Sequence, residues 1–481
     1  MNTLQVLQGL DNDTEAKVYL VGGYVRDLLR NKKNDDLDIV VKELSLKGIE
    51  NYLKKYGSIK RVSLAKTTHF FSVNILLFKA FGDTTEAQIS LPREGKKQIP
   101  NLHNTLIQDS KFRDFKMNAM YLSVNYETKT NVIDKVKGRE DIANQRISTV
   151  GKADDRIRES PIRMLRAISL AARLNYTIDG GLLRSIEKNS YLILRCPVEA
   201  IREYFNEILL SRKPSKYLKI MVKTKLLKYI CPEVYRCVGV KQDKRYHKYD
   251  VYTHLVYTCD NTSSNSLALR LAGILHDIGK ADTRKEVKVP NQKDRITFHK
   301  HEMVSTKLAK AFLRRLKYSN SISEEILVLV KHHMYHYTRE WTDGAVRKFI
   351  KKIPLPEQFL TKDSIQSFPL FQLRAAERKG NGLKTIPITD RQIDFENRLL
   401  SVYEKSHSLE VRNLAINGNT LMDIFGLKAG VGIGQILDYL LEIVLNDPEK
   451  NNRLSLLELT TEYLFPGEKR TKMNSDDTML T

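Results

Sequence analysis

The sequence predicts an α/β head followed by an all-α remainder, and three observations carry that reading. Short apolar runs rich in β-branched residues, at 18–21, 36–41, 70–78 and 87–91, read as strands and fall within the first 145 residues. From 180 to 240 the chain reads as helix after helix, in runs such as VEAIREYFNEILL and YLKIMVKTKLLKYI, and the helical pattern resumes from 346 to 465. A length of 481 residues gives room for several domains, each with its own core.

The head is organised around VYLVGGYVRDLLRNKKNDDLDIV, residues 18–40. Val18–Val21 is a buried strand that stops at Gly22-Gly23. A helix follows, with Val25, Leu28 and Leu29 on one side and Arg26 and Asp27 on another. Strand, glycine pair and helix aim backbone N–H groups and a positive dipole end at a phosphate, and Arg26 adds a charge-assisted bond to the same anion. In the second strand, period-two alternation places Asp36 and Asp38 on one face and Leu37 and Ile39 on the other. Two carboxylates side by side repel unless a cation lies between them. A magnesium ion, which takes oxygen ligands and substrate phosphates, suits the pair.

This order of motifs, GG-x-VRD-x-L and then D-x-D, resembles the nucleotidyltransferase superfamily that includes DNA polymerase beta. More narrowly, it is similar to the bacterial tRNA nucleotidyltransferase and poly(A) polymerase family. The resemblance implies a polymerase-beta-like mixed sheet, with Asp36 and Asp38 as catalytic ligands of Mg2+ and with Gly22, Gly23 and Arg26 on the triphosphate. A helix is expected at 46–56. Relatives place a third acid ahead of a segment like Ile89-Ser90-Leu91-Pro92-Arg93; that position is Gln88 here, with Glu86 on the same strand face as a substitute. Residues 109–120, DSKFRDFKMNAM, resemble D-x-x-RRDFT-x-NA, with Phe112 for the first arginine and Lys116 for the threonine. Arg113 and Asp114 remain, an adjacent donor and acceptor for a phosphate or ribose and its 2′-hydroxyl. Asp134–Arg139 reads as a turn.

In RIRESPIRMLRAISLAARL, residues 156–174, Ser160-Pro161 predicts a helix start, and Arg163 and Arg166 share one face while Met164 and Ile168 pack on another. The family has ED-x-x-R where this chain has Glu159-Ser160-Pro161-Ile162-Arg163. In relatives the aspartate and arginine read the base edge, since adenine and cytosine both offer an amino donor beside a ring-nitrogen acceptor. The resemblance therefore turns Arg163 and Arg166 toward the base. The neutral Ser160 predicts selection that is weaker or differently built.

A second set of ligand-type residues begins at His247: His254, His276-Asp277 in LALRLAGILHDIGK, His301, His332-His333 and Asp343. Imidazole and carboxylate at apolar positions must be paired or liganded to be buried, and together they suit a transition metal. The series resembles the HD phosphohydrolase domain that many bacterial tRNA nucleotidyltransferases carry. It implies a second divalent transition metal on His254, His276, Asp277, His301, His333 and Asp343. LAINGNTLMDIFGLKAGVGIGQILDYLLEIVLNDPEKN is similar to the family's C-terminal segment, with a glycine turn at 430, 432 and 434.

The resemblance divides the chain into a nucleotidyltransferase head (1–145), a helical neck (146–240), an HD domain (241–350), a helical tail domain (351–466) and a disordered end (467–481). A formal net charge of +23 calls for a polyanion, and tRNA with CTP and ATP are the partners implied. Cys196, Cys231, Cys237 and Cys259 form no CxxC pair, which fits a reducing cytoplasm without zinc or disulfides. No apolar run has membrane-spanning length, and nothing in the sequence reads on oligomeric state. The expected activity is template-independent addition of C and A to the 3′ end of tRNA. Two readings stand beside it: an adenosine-only polymerase, and an HD phosphohydrolase on a degenerate RNA-binding head.

Overall fold

The computed structural model describes all residues except 67–70, 95–98, 127, 289–294, 354–356, 360, 385, 387, 405–410 and 467–481. The chain divides into two compact units, Met1–Val330 with Gly380–Leu383, and Lys331–Lys379 with Lys384–Thr481.

The first unit opens with α1 (Thr3–Asp13), β1 (Lys17–Val21), α2 (Gly23–Leu29), β2 (Leu37–Lys42), α3 (Leu46–Leu53), β3 (Gly57–Lys66), β4 (Phe71–Ala80), β5 (Ala87–Ser90), α4 (Leu106–Ser110) and β6 (Tyr121–Ser123). Six strands form one sheet in the order β3-β4-β5-β2-β1-β6. β2 and β5 run parallel and the other neighbours antiparallel, so the sheet is mixed, as expected. The pleat sorts the side chains. Val18, Leu20, Leu37, Ile39 and Val41 join Val6, Leu10, Ile49 and Leu53 of α1 and α3 in the main core. Val21, Val40 and Tyr121 cluster apart from it, and alternation puts Asp38 on their side of β2.

β3 has no counterpart in the strands read from the sequence, and the helix expected to reach Tyr56 ends at Leu53. Gly57 forces that change. A Cβ there would lie 2.2 Å from the Lys79 carbonyl oxygen of β4, so only glycine lets the two strands close. Phe70, read as a strand start, and the segment 467–481, read as disordered, lie outside the described residues.

After the sheet in chain order come α5 (Gly138–Ala143), α6 (Ala153–Glu159), α7 (Arg163–Leu174), α8 (Gly180–Asn189) and α9 (Val198–Leu210). The turn read at Asp134–Arg139 is held by the Asp134 carboxylate, which accepts from the backbone of Val136, Gly138 and Arg139 at 2.9–3.0 Å. The helix start read at Ser160-Pro161 is corrected. Ser160 is the extended residue that ends α6, and α7 begins at Arg163 without a side-chain cap. Ser160 bonds locally through its backbone, its N–H to Arg156 and its carbonyl from the Arg163 N–H. Further on, the helices Val251–Asn261, Leu267–Leu275 and His301–Arg315 carry the histidine series.

The second unit is helical, with a core of Leu421, Ile433, Ile436, Leu440, Leu441, Val444 and Leu456. A separate aromatic group packs Phe395 against Tyr337, Trp341, Phe349 and Phe371. The glycine turn reduces to one residue: Gly430 precedes the helix Val431–Asn446, and Gly432 and Gly434 lie inside its first turn. All four cysteines are buried thiols.

Gly57→Ala is expected to destabilise the head by about 1–3 kcal/mol through overpacking, measured as a lower denaturant midpoint of the full chain. An unchanged midpoint would show that β3 and β4 can part at no cost.

Candidate active site and a second ligand cluster

The functional face of the sheet opens into a cleft of about 1040 Å³, walled by the head on one side and by α7 and α9 on the other. β1 ends at Val21, directly opposite Asp38 in the antiparallel register. Gly22 then turns the chain with φ +75°. A Cβ on Gly22 would sit 2.6 Å from Asp38 Oδ2, so the glycine is needed for its backbone angle and for the carboxylate lying over it. Asp38 pairs with Gln88 of β5, and Asp36 stands exposed just before β2. Both aspartates and Gln88 line the cleft; Glu86 is not among the lining residues. Burial raises the Asp38 carboxyl above the ordinary carboxylate range; Arg113 and Arg93 pull it back and Asp36 adds to the rise. A carboxylate so placed, with a second one beside it and open space in front, fits a divalent cation.

The arginines around this pair are mostly engaged. Arg26, expected at the triphosphate, is buried and donates to both Asp27 oxygens and, at 3.0 Å, to Asn118. Arg30 donates to Asp27 at 2.6 Å. Arg113 donates to Asp109 at 2.8 Å and to the Tyr121 hydroxyl at 3.0 Å, and that hydroxyl donates to the same Asp109 oxygen. Burial would raise the Asp109 carboxyl, but Arg113 and Arg93 hold it below the usual range.

Arg113 and Asp114 both line the cleft, and Asp114 has partners of its own. Its two oxygens take Arg163 and Arg166 from α7, which ties the head to the neck. Burial works against the Asp114 charge, yet the two guanidiniums hold the carboxyl well below its normal value. Arg163 is buried and also donates to Glu159 at 3.0 Å and to the Arg156 carbonyl at 2.8 Å. Arg166 lines the cleft, stacked on Tyr204 and donating to its hydroxyl at 2.9 Å. Neither Ser160 nor Arg163 is among the lining residues; Ser169, Arg173, Glu203 and Glu207 are. Sequence reading missed those four, because their spacing on α7 and α9 is also that of a solvated helix face.

The second cluster lies in the same unit. His254 Nε2 and His276 Nε2 are 3.2 Å apart, and Asp277 Oδ2 is 3.6 and 3.4 Å from them. His301 Nε2 is 3.0 Å from Asp277 Oδ1. His276 and His301 each set Nδ1 against a backbone carbonyl, Gly273 at 3.0 Å and Phe298 at 2.7 Å. That contact directs the Nε2 lone pairs into the cluster, where they face one another and the carboxylate. His254, His276 and Asp277 bring three ligand atoms within 4.8 Å of one another, a donor set that fits a divalent transition metal. Lys280 also reaches Asp277, at 2.6 Å. His333 and Asp343 belong to the second unit, where Asp343 opens the helix Asp343–Lys352 and accepts from Arg398 at 3.0 Å.

Residues 18–148 match the poly A polymerase head domain, 175–237 the probable RNA- and SrmB-binding site of polymerase A, and 245–391 the HD domain. The multifunctional CCA protein of Cupriavidus metallidurans is 27% identical, over 80% of this chain and 91% of its own. The CCA-adding enzyme of Limosilactobacillus reuteri is 25% identical, over 96% of each. The crystal structure of the Bacillus stearothermophilus CCA-adding enzyme in complex with CTP shares the fold, with a TM-score of 0.60 at 20% identity over 96% of this chain and 97% of that one. No described helix is long and apolar enough to cross a membrane.

Asp114→Asn removes the charge that both neck arginines share. It is expected to cost on the order of 3 kcal/mol, read as an earlier unfolding transition. A midpoint equal to the parent's would mean that the head and neck are joined by other contacts.

Proposed function

We propose that this chain, which belongs to the bacterial tRNA nucleotidyltransferase and poly(A) polymerase family with an appended HD domain, adds C and A to the 3′ end of tRNA. The nucleotides come from CTP and ATP and no template is used. The observation that carries this reading is Asp38, a partly desolvated carboxylate laid over Gly22, with Asp36 beside it in a cleft that also holds Arg93, Arg113 and Arg166.

Both domain families generally use divalent metals. Asp36 and Asp38 would hold Mg2+, which when bound activates the terminal hydroxyl and neutralises the leaving pyrophosphate. The protein's own groups do the rest by position. Gly22 and Gly23 bring the backbone to the triphosphate, and Arg26 supports that turn through Asp27 and Asn118. Arg113 holds a positive charge over the Asp38 side of the cleft while Asp109 fixes its orientation. Asp114 sets Arg163 and Arg166, and through them the neck wall against which the base lies. Gln88 contributes a neutral amide where a third acid would add charge, so the terminal hydroxyl loses its proton to solvent or to phosphate.

His254, His276, Asp277 and His301 would hold a divalent transition metal, which when bound supplies Lewis-acid activation of water for phosphoester hydrolysis. The reducing cytoplasm suits the four buried thiols.

Asp36→Asn and Asp38→Asn are each expected to abolish nucleotide addition while leaving tRNA binding within about twofold, since only metal ligation is lost. Near-normal rates with magnesium in either variant would move catalysis elsewhere. The double change His276→Ala, Asp277→Ala is expected to remove bound transition metal, assayed on folded protein, and to spare nucleotide addition. Equal metal content in parent and variant would contradict the second site.

A further inference from the structure

Among the described residues, one cleft arginine has a buried Nε that meets no acceptor. Arg93 lies between the third-acid position and α4, and its backbone is fixed at both ends. Its N–H donates to Asp109 Oδ1 at 2.8 Å, and its carbonyl accepts from the Asn104 side chain. Its side chain lines the cleft, and Nε is buried with no hydrogen-bond partner among the described residues. A buried guanidinium nitrogen with an unmet donor costs stability, and it is explained where a ligand completes it. The neighbouring acids are already committed. Asp109 serves Arg113 and Tyr121, Asp114 serves Arg163 and Arg166, and Asp27 serves Arg26 and Arg30. Burial and the nearby Arg113 both work against the Arg93 charge, and Asp109 and Asp114 offset them only in part.

We propose that Arg93 is an anion-binding residue that takes phosphate oxygens in the cleft, which Arg26 also lines with its guanidinium bonded to Asp27 and Asn118. The inference rests on the nucleotide-adding reading for the identity of the anion, a nucleotide triphosphate. An RNA phosphodiester offers the same oxygens. A guanidinium reaches two of them at once, and Asp38 beside it keeps an anion without a metal from binding too tightly to leave.

The test titrates inorganic pyrophosphate into the full chain in EDTA, by calorimetry, for the parent, Arg93→Gln and Arg93→Lys. Arg93→Gln is expected to bind about tenfold more weakly or worse, with Arg93→Lys in between. The ligand-free melting temperature of Arg93→Gln should equal or exceed the parent's, because a buried unmet donor has been removed. A structural role would lower it. In extension assays, a KM raised for ATP alone assigns the phosphate to the nucleotide, and one raised for tRNA alone assigns it to the RNA end. Pyrophosphate affinity of Arg93→Gln within about twofold of the parent, or a lowered melting temperature in both variants, overturns the proposal. A chain that adds no nucleotide yet loses pyrophosphate on Arg93→Gln would sink the nucleotidyltransferase reading and leave this one standing.

Discussion

A carboxylate that must stay charged while half out of water is the constraint around which the head is built. Asp38 lies over Gly22, and the strand order follows from that contact. β1 must run antiparallel beside β2 for Val21 to meet Asp38, and β5 must run parallel on the other side for Gln88 to do so. Burial and Asp36 push the Asp38 proton on; Arg113 and Arg93 push it off. Neither influence removes the other, so the site stays ready for a cation without being neutralised by an ion pair of its own.

The arginines take their places in the same logic. Charges that face the cleft without a partner would repel one another, so several are spent on fixed carboxylates: Arg26 on Asp27, Arg113 on Asp109, Arg166 on Asp114. These pairs stiffen the walls. Asp114 has a further consequence, because its two partners come from α7. That carboxylate ties the head to the neck wall carrying Arg166, Ser169 and Arg173, beside the bonds from Arg30 to the Tyr176 hydroxyl and from Arg156 to the Lys111 carbonyl. The histidine cluster is held differently, by backbone carbonyls that fix two rings, and shares no residue with the cleft.

The sequence made the mixed sheet's active strand legible, because an aspartate alternating with apolar residues leaves only one face for Asp36 and Asp38. The glycine pair was legible for the same reason: few segments stop a buried strand so abruptly. Three things were not. β3 was hidden because its alternation is broken by lysine and arginine and its start depends on Lys79, a residue far along the chain. Arg113 and Asp114 read as one adjacent pair and both line the cleft, but the partners of Asp114, Arg163 and Arg166, lie far along the chain and could be chosen only in three dimensions. Ser160 looked like a cap by composition, but the break between α6 and α7 places it before a turn, away from the cleft lining. The neck is helical, as expected, whereas its cleft-lining residues depended on how α7 and α9 face the sheet.

The most direct measurement supplies tRNA transcripts ending before, within and after CCA with one nucleotide at a time, and reads the added length. A cleft organised by Asp36 and Asp38 for CCA addition predicts cytidine on transcripts lacking C, a single adenosine on those ending in CC, and nothing on completed ends. Adenosine runs on every transcript, or no extension of any, would contradict it.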